Sequence, residues 1–320
     1  MKTTNKSVIY YFSLIMFFIG AVFSTNQILG QERQPIIDMH MHTGLPHDIP
    51  AGTPAICRPD PCEGQGGSTA NSSENLQKTL EQMSRYNIVK GFLSGIDLST
   101  VKEWKKADPE RFIGSPFIME PNSSNLEALR QEYSTGHLTG MGEIGAQLNG
   151  IPPNDPALEP YFKLAEELDL PVLIHTLGIG PYMPNFRSAS GSPLLLEEVL
   201  IRHPKLRIFV ENAGYPYRDE MIAMMYQYPQ LYADVSTITW VIPRTAFYDY
   251  LEAFVRAGLG KRIMFGSDQM VWPMKIGAAV EAIEEAPFLS QEQKRDIFYN
   301  NAARFLKLDK KVIAEHSSHN

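Results

Sequence analysis

Cysteine is nearly missing from this chain: 320 residues contain two, Cys57 and Cys62. Two cysteines exclude a disulfide-dense scaffold and a four-thiolate zinc site, since neither partner cysteines nor nearby histidines complete a ligand set around Cys57-Arg-Pro-Asp-Pro-Cys62. An excess of basic charge is missing too. Lys and Arg number 29 against 36 Asp and Glu, for a net charge of −7. A nucleic-acid surface needs clustered Lys and Arg, so nothing supports such a partner. Low-complexity tracts and internal repeats are absent. Long apolar runs are missing after the first 24 residues, and 43% hydrophobic residues over 320 suffice for one large barrel or two small domains.

The start of the chain is the exception. Lys2 and Lys6 precede an apolar run from Val8 to Phe23 that ends in Ser24-Thr25. This is the pattern of a secretory signal over residues 1–24, with cleavage near Val22-Phe23-Ser24 and an uncleaved membrane anchor as its rival. No cysteine follows the run, which argues against a lipid anchor. The expected location is therefore periplasmic or extracellular, with membrane contact only if the segment stays attached. In an oxidising compartment Cys57 and Cys62 are expected to form a disulfide closing a small loop.

From Ile36 onward one grammar repeats: a short apolar run ending in polar residues or glycine, then an amphipathic helical stretch. Strands are expected at 36–42, 88–94, 112–118, 138–144, 171–176, 207–212, 231–236 and 263–268. Asp155-Pro156 and Ser192-Pro193 read as helix starts, the stripe Phe247, Tyr250, Leu251, Phe254 and Val255 as one helical face, and Ser290-x-x-Gln293 as a capping box opening a helix through Phe305. Eight strands alternating with helices predict an α/β fold, a (β/α)8 barrel over residues 35–307 with an extra C-terminal helix; a doubly wound sheet is the runner-up. Residues 308–320 read as an unstructured polar tail carrying His316 and His319.

In a barrel the chemistry gathers at the C-terminal strand ends. Four such ends carry it here: Asp38-Met39-His40-Met41-His42, Gly142-Glu143-Ile144-Gly145, Val172-Leu173-Ile174-His175 and Phe265-Gly266-Ser267-Asp268. Strict alternation puts Asp38, His40 and His42 on one face of their strand. Neutral imidazoles two residues apart can share one metal ion. His47 lies in the loop after the first strand, while His137 and His203 read as turn and helix-end residues.

These elements, in this order, resemble the amidohydrolase superfamily, and more narrowly the amidohydrolase 2 (amidohydrolase-related) family. The resemblance implies a (β/α)8 barrel and metal-dependent hydrolysis, with decarboxylation in some members. It implies His40, His42, His175 and Asp268 as metal ligands and Asp268 as proton shuttle for a metal-activated water. Glu143 is either a further ligand or a hydrogen-bonded carboxylate of the barrel mouth. After the sixth strand the family usually has a histidine. Aligned on Gly214, this chain has Asn212 there, and alternation points the adjacent Glu211 to the opposite face. One divalent ion, zinc or manganese, is therefore expected. Arg244, Trp240, Tyr215 and Arg58 are candidates for contacting a small-molecule substrate. Three functions remain in play: a hydrolase of an amide, ester or lactone, a decarboxylase of an unsaturated or aromatic acid, and a binding protein impaired at Asn212. A homo-oligomer stays open.

Overall fold

The computed structural model describes residues 33–45, 47–59, 66–180 and 183–318. The segment read as a signal peptide, Cys62 and His319 lie outside the described residues. Eight parallel strands follow in chain order: β1 Ile36–His42, β2 Ile88–Gly95, β3 Phe112–Pro116, β4 Met141–Ile144, β5 Pro171–Ile174, β6 Arg207–Val210, β7 Leu231–Asp234 and β8 Ile263–Met264. β1 to β3 form one ladder and β4 to β8 another. Two seams join the ladders. Thr139 N donates to Gly114 O at 2.9 Å and Ile118 N to Glu143 O at 2.7 Å, while Met39 N donates to Phe265 O at 2.9 Å and Asp268 N to His40 O at 2.8 Å. The strands therefore close into a barrel. A helix follows each of them, for example Ser72–Arg85 after β1 and Lys275–Glu284 after β8.

Strands buried on both faces read as continuous apolar runs, because one face meets the helices and the other meets the barrel interior. The packing separates the two. Ile36, Val172, Ile174, Ile208, Val210, Ala233, Ile263 and Phe265 join the helices. Ile37, Met39, Phe92, Leu173, Phe209 and Met264 form a second cluster. β8, β1 and β2 lie across the barrel from β5 and β6, and residues of the two sets can touch only through the lumen, so this second cluster is the barrel's filling. Phe92 and Phe209 meet edge to face there, with centroids 5.5 Å apart.

The N-terminal end of the barrel is closed by the last long helix. Ser290 and Gln293 form the expected capping box, and the helix runs from Gln291 through a π turn at Asp296–Asn300 to Phe305. Tyr299, Ala302, Ala303 and Phe305 complete the lumen cluster, and Phe305 lies edge-on to Phe209 with centroids 5.3 Å apart. The tail is not unstructured: Lys310–Ser318 is a helix, and His316 Nδ1 lies 2.8 Å from Tyr299 Oη. Among the described residues no helix is long and apolar enough to cross a membrane.

Candidate metal centre

One layer above the filling, the inward positions change character. On β5, Leu173 faces in and Ile174 faces out, so His175 faces in. On β6, Phe209 faces in and Val210 out, so the next inward residue is Glu211. The expectation that Glu211 points away from the site is therefore corrected. Glu211 is 2% exposed and lines the cavity. Asn212, at φ +51° in a tight turn, leaves the strand path instead. Its carboxamide oxygen accepts from Ile238 N at 3.0 Å, and its amide donates to Glu211 Oε1 at 2.7 Å. Asn212 is a brace for the turn and for Glu211, so it does not stand in a ligand's place.

The expected common face of Asp38, His40 and His42 also needs correction. The β1–β2 pairing slips between Asp38 and Met41. Ile37 and Met39 point into the lumen below the slip, while Met41 packs outward above it. The break in phase turns His40 and His42 inward and leaves Asp38 within the wall, where its Oδ1 accepts from His40 N at 3.1 Å and Ser267 N at 2.9 Å. Gly266 makes room for this: a Cβ there would stand 2.9 Å from His40 Cβ. Asp268 follows at φ +48°, a backbone state a non-glycine residue holds only when its surroundings impose it.

Four donor atoms then converge. His40 Nε2 and His42 Nε2 are 3.0 Å apart, and each is 3.2 Å from Glu143 Oε2. Asp268 Oδ1 lies 3.0 Å from His42 Nε2 and 3.8 Å from His40 Nε2. Ligands bound at about 2.0–2.2 Å around a tetrahedral ion stand roughly 3.3 Å from one another, so this spacing suits a shared ion. The fit has a second sign. His175 Nε2 is buried without a hydrogen-bond partner, while Asp268 Oδ1 and Glu211 Oε2 are buried against imidazole nitrogens, those of His40 and His42 and that of His175. Outer partners fix the rings: His40 Nδ1 lies 3.1 Å from Asp234 Oδ2 and 3.0 Å from Ser236 Oγ, and His42 Nδ1 lies 2.9 Å from Ser94 Oγ. An Nδ1–H held this way leaves each Nε2 lone pair free for a cation.

Charge crowding is severe. Burial alone pushes the His42 imidazolium down, but hydrogen bonds with Asp268 and Glu143 outweigh it and lift the group to about 9. His175 behaves alike: burial lowers it, and the charge of Glu211 with the hydrogen bond to Glu143 raises it to about 10. Burial raises Glu211 to about 7, with the charge of His175 pulling the other way. Burial likewise lifts Asp38 to about 7 against its hydrogen bonds from Ser267 and His40. Without a cation the site holds protons where one would sit, and a divalent ion binds by displacing them.

Above the donors lies a cavity of about 220 Å³ walled by Phe117, Leu148, Leu177, Ile179, Val241 and Met270. Of the four substrate candidates, Arg58 lines it; Trp240, Tyr215 and Arg244 do not. The Trp240 indole donates to Ser267 O at 2.8 Å and so props the strand end that carries Asp268. Tyr215 packs on Tyr250, and Arg244 opens a surface helix with its Nη1 3.9 Å from Glu285. His47 joins the wall, whereas His137 pairs with Glu132 and His203 with Glu159 and Glu166. Cys57 is 8% exposed beside the mouth; its expected bridge partner lies outside the described residues. Sequence reasoning missed Glu211, Asp234 and Thr237, whose hydroxyl donates to Asp268 Oδ2. The polar end of Leu231-Tyr-Ala-Asp234, at the top of β7, was a usable signal for one of them.

Comparison with known proteins agrees with this picture. The amidohydrolase 2 family model, described as Amidohydrolase, matches residues 37–308. A 2-amino-3-carboxymuconate-6-semialdehyde decarboxylase of Dictyostelium discoideum is 27% identical over 229 residues, 63% of this chain and 63% of that protein. An uncharacterised TIM-barrel protein of Bordetella bronchiseptica superposes with a TM-score of 0.61 at 19% identity, over 85% of this chain and 98% of the other. A probable 2-pyrone-4,6-dicarboxylic acid hydrolase of Acinetobacter baumannii, with citric acid bound, gives 0.58 at 14% identity over 85% and 99%.

Proposed function

Because the chain belongs to the amidohydrolase 2 family, we propose that it is a metal-dependent hydrolase of a neutral, largely apolar ester, lactone or amide. The observation that carries the choice of substrate is the cavity wall: Phe117, Leu148, Leu177, Ile179, Val241 and Met270 make it apolar, and among the described lining residues Arg58 is the one Lys or Arg that could hold a carboxylate. The aliphatic and aromatic walls suit an apolar substituent.

His40, His42, Glu143 and Asp268 would hold the cation. When bound it supplies Lewis acidity toward a carbonyl and toward water. The chain does the rest. Thr237 donates to Asp268 Oδ2, which directs Oδ1 to the site, and Asp268 carries a proton from water to the leaving group. The apolar wall keeps bulk water from competing.

The test is a panel of neutral esters, lactones and amides run beside carbon dioxide release from unsaturated and aromatic acids. Chelator should abolish hydrolysis, and Asp268→Asn should lower kcat about 100-fold or more while much of the metal stays bound. Carbon dioxide release with no hydrolysis would overturn the reading. That outcome belongs to a second reading, decarboxylation, supported by Arg58 in the wall and by the name of the Dictyostelium relative. The third, binding without turnover, loses its motive once Asn212 is a brace. Export through residues 1–24 is part of the same proposal, and N-terminal mass spectrometry of the secreted chain checks it.

A further inference from the structure

The barrel closes where its last strand meets its first, and the donor atoms straddle that seam. His40 and His42 come from β1 and Asp268 from beyond the end of β8, with His42 Nε2 3.0 Å from Asp268 Oδ1. Backbone pairing runs out early here. β8 spans only Ile263–Met264, and among the described residues the last backbone bond across the seam is Asp268 N to His40 O at 2.8 Å. Asp268 and Met270 then take φ values of +48° and +47°, which turns the chain off the strand path. The N–H and C=O of His42, two residues past His40, share the edge that the turning chain has left.

A side chain fills the place. Gln269 Oε1 accepts from His42 N at 3.1 Å, and Gln269 Nε2 donates to His42 O at 2.7 Å. A carboxamide carries one acceptor and a donor side by side, as a peptide group does, so it can serve both backbone atoms of one residue. The next link is again an amide. Asn75, on the helix Ser72–Arg85, donates from Nδ2 to Thr43 O at 3.2 Å and to Met270 O at 2.8 Å. Both amide side chains are buried, and neither lines the cavity.

We propose that Gln269 is a positioning residue for the metal centre: its side chain replaces the missing end of β8 and fixes His42 relative to Asp268. This rests on reading the site as a metal centre, and not on which bond is broken. Gln269 follows Asp268 directly in the chain and grips the His42 backbone through both its N–H and its C=O, so one residue ties two ligands together across the seam. The His42 ring is held from the opposite side, by Ser94 Oγ of β2 at 2.9 Å. Without the Gln269 amide, a buried N–H and a buried C=O lose their partners, a cost the strand end relieves by moving. His42 moves with it while Asp268 stays on the other side. A purely structural role for Gln269 has a different signature: lower stability with the ligand geometry kept.

Co²⁺ is the probe, because its visible absorption reports ligand geometry as well as occupancy. The full chain is stripped with chelator, dialysed and titrated. Gln269→Met, similar in length but without the amide, should weaken Co²⁺ binding about 10- to 100-fold, the scale for partners that orient a ligand, and shift the visible bands. Gln269→Asn, one methylene too short to serve both backbone atoms, should fall between, and it carries the test if Gln269→Met does not fold by circular dichroism. Leu173→Ala, in the filling below, lowers stability without touching the seam and should leave affinity and bands unchanged. Unchanged affinity and bands in the Gln269 variants overturn the proposal. An equal loss in Leu173→Ala overturns it too, because general destabilisation then accounts for the effect. An unmodified chain that binds no Co²⁺ overturns the metal-centre reading along with it.

Discussion

Two layers of the same lumen differ by two residues along each strand. In the lower, Met39, Leu173, Phe209 and Met264 pack on one another and on Phe305. In the upper, reached at His175 from Leu173 and at Glu211 from Phe209, the inward side chains are acids and imidazoles. The lower layer needs nothing more than it has: its atoms are apolar and in contact. The upper layer leaves His175 Nε2 buried with no hydrogen-bond partner and crowds three acids against three imidazoles, and it is braced from outside by Asp234, Ser236, Ser94 and Asn212. Stability and chemistry are thus separated by one step of strand alternation. A protein can tolerate an unsatisfied layer because the adjoining one is fully packed.

The separation can be broken from below first. Phe209→Ala should cost about 3–5 kcal/mol in denaturant unfolding, the range for a large aromatic removed from a closed core. The folded fraction should still bind metal with little change in affinity. A large loss of affinity in that fraction would mean the layers are not separable.

A smaller effect is expected from Asp234→Asn, read as metal affinity. Asp234 Oδ1 accepts from Asn212 N at 2.9 Å and Ser236 N at 3.1 Å, and an asparagine oxygen can do the same. The new amide would then face His40 Nδ1 as a donor and drive the ring proton to Nε2, into the ligand position. A 10- to 100-fold loss of affinity is the usual scale for such outer partners. Unchanged affinity would show that Ser236 alone sets the tautomer.

The last effect concerns pH in the metal-free chain. His42 and His175 are raised to about 9 and about 10, from 6.5. A group raised on folding contributes stability that is complete below its unfolded value and is lost as pH rises through the folded one. The melting temperature of the stripped protein should therefore fall between pH 6.5 and about 10, by about 2–4 °C per kcal/mol lost. Loaded protein should not show this slope, because the ion replaces the protons. Equal slopes in both forms would sever the link between the protons and the metal position.

Much of this was legible in the residues. All eight strands begin within three residues of where the apolar runs start, and His40, His42, Glu143, His175 and Asp268 meet as their strand ends suggested. Phase was not legible. In Arg207-Ile-Phe-Val210 every position after the first is apolar, so the pattern does not say which side faces the lumen. The phase had to be borrowed from the glycine alignment, which selected Asn212 and turned Glu211 outward. The slip in β1 hid in the same way, because a one-residue irregularity flips every side chain beyond it and leaves no compositional trace. Arg244 and Trp240 lie close to β7 in sequence, but Arg244 begins a helix that leads away over the surface.

The helix that ends in Phe305 has one further consequence, and it concerns traffic. With Tyr299, Ala302 and Phe305 packed into the lumen, the barrel is a cup and not a tube. Among the described residues the filling bars passage through the barrel floor, so what enters past Arg58 and His47 leaves by the mouth. Arrival and departure then compete for one doorway, so a released product still lodged near Phe117 and Met270 bars the next arrival, and its inhibition is competitive with substrate.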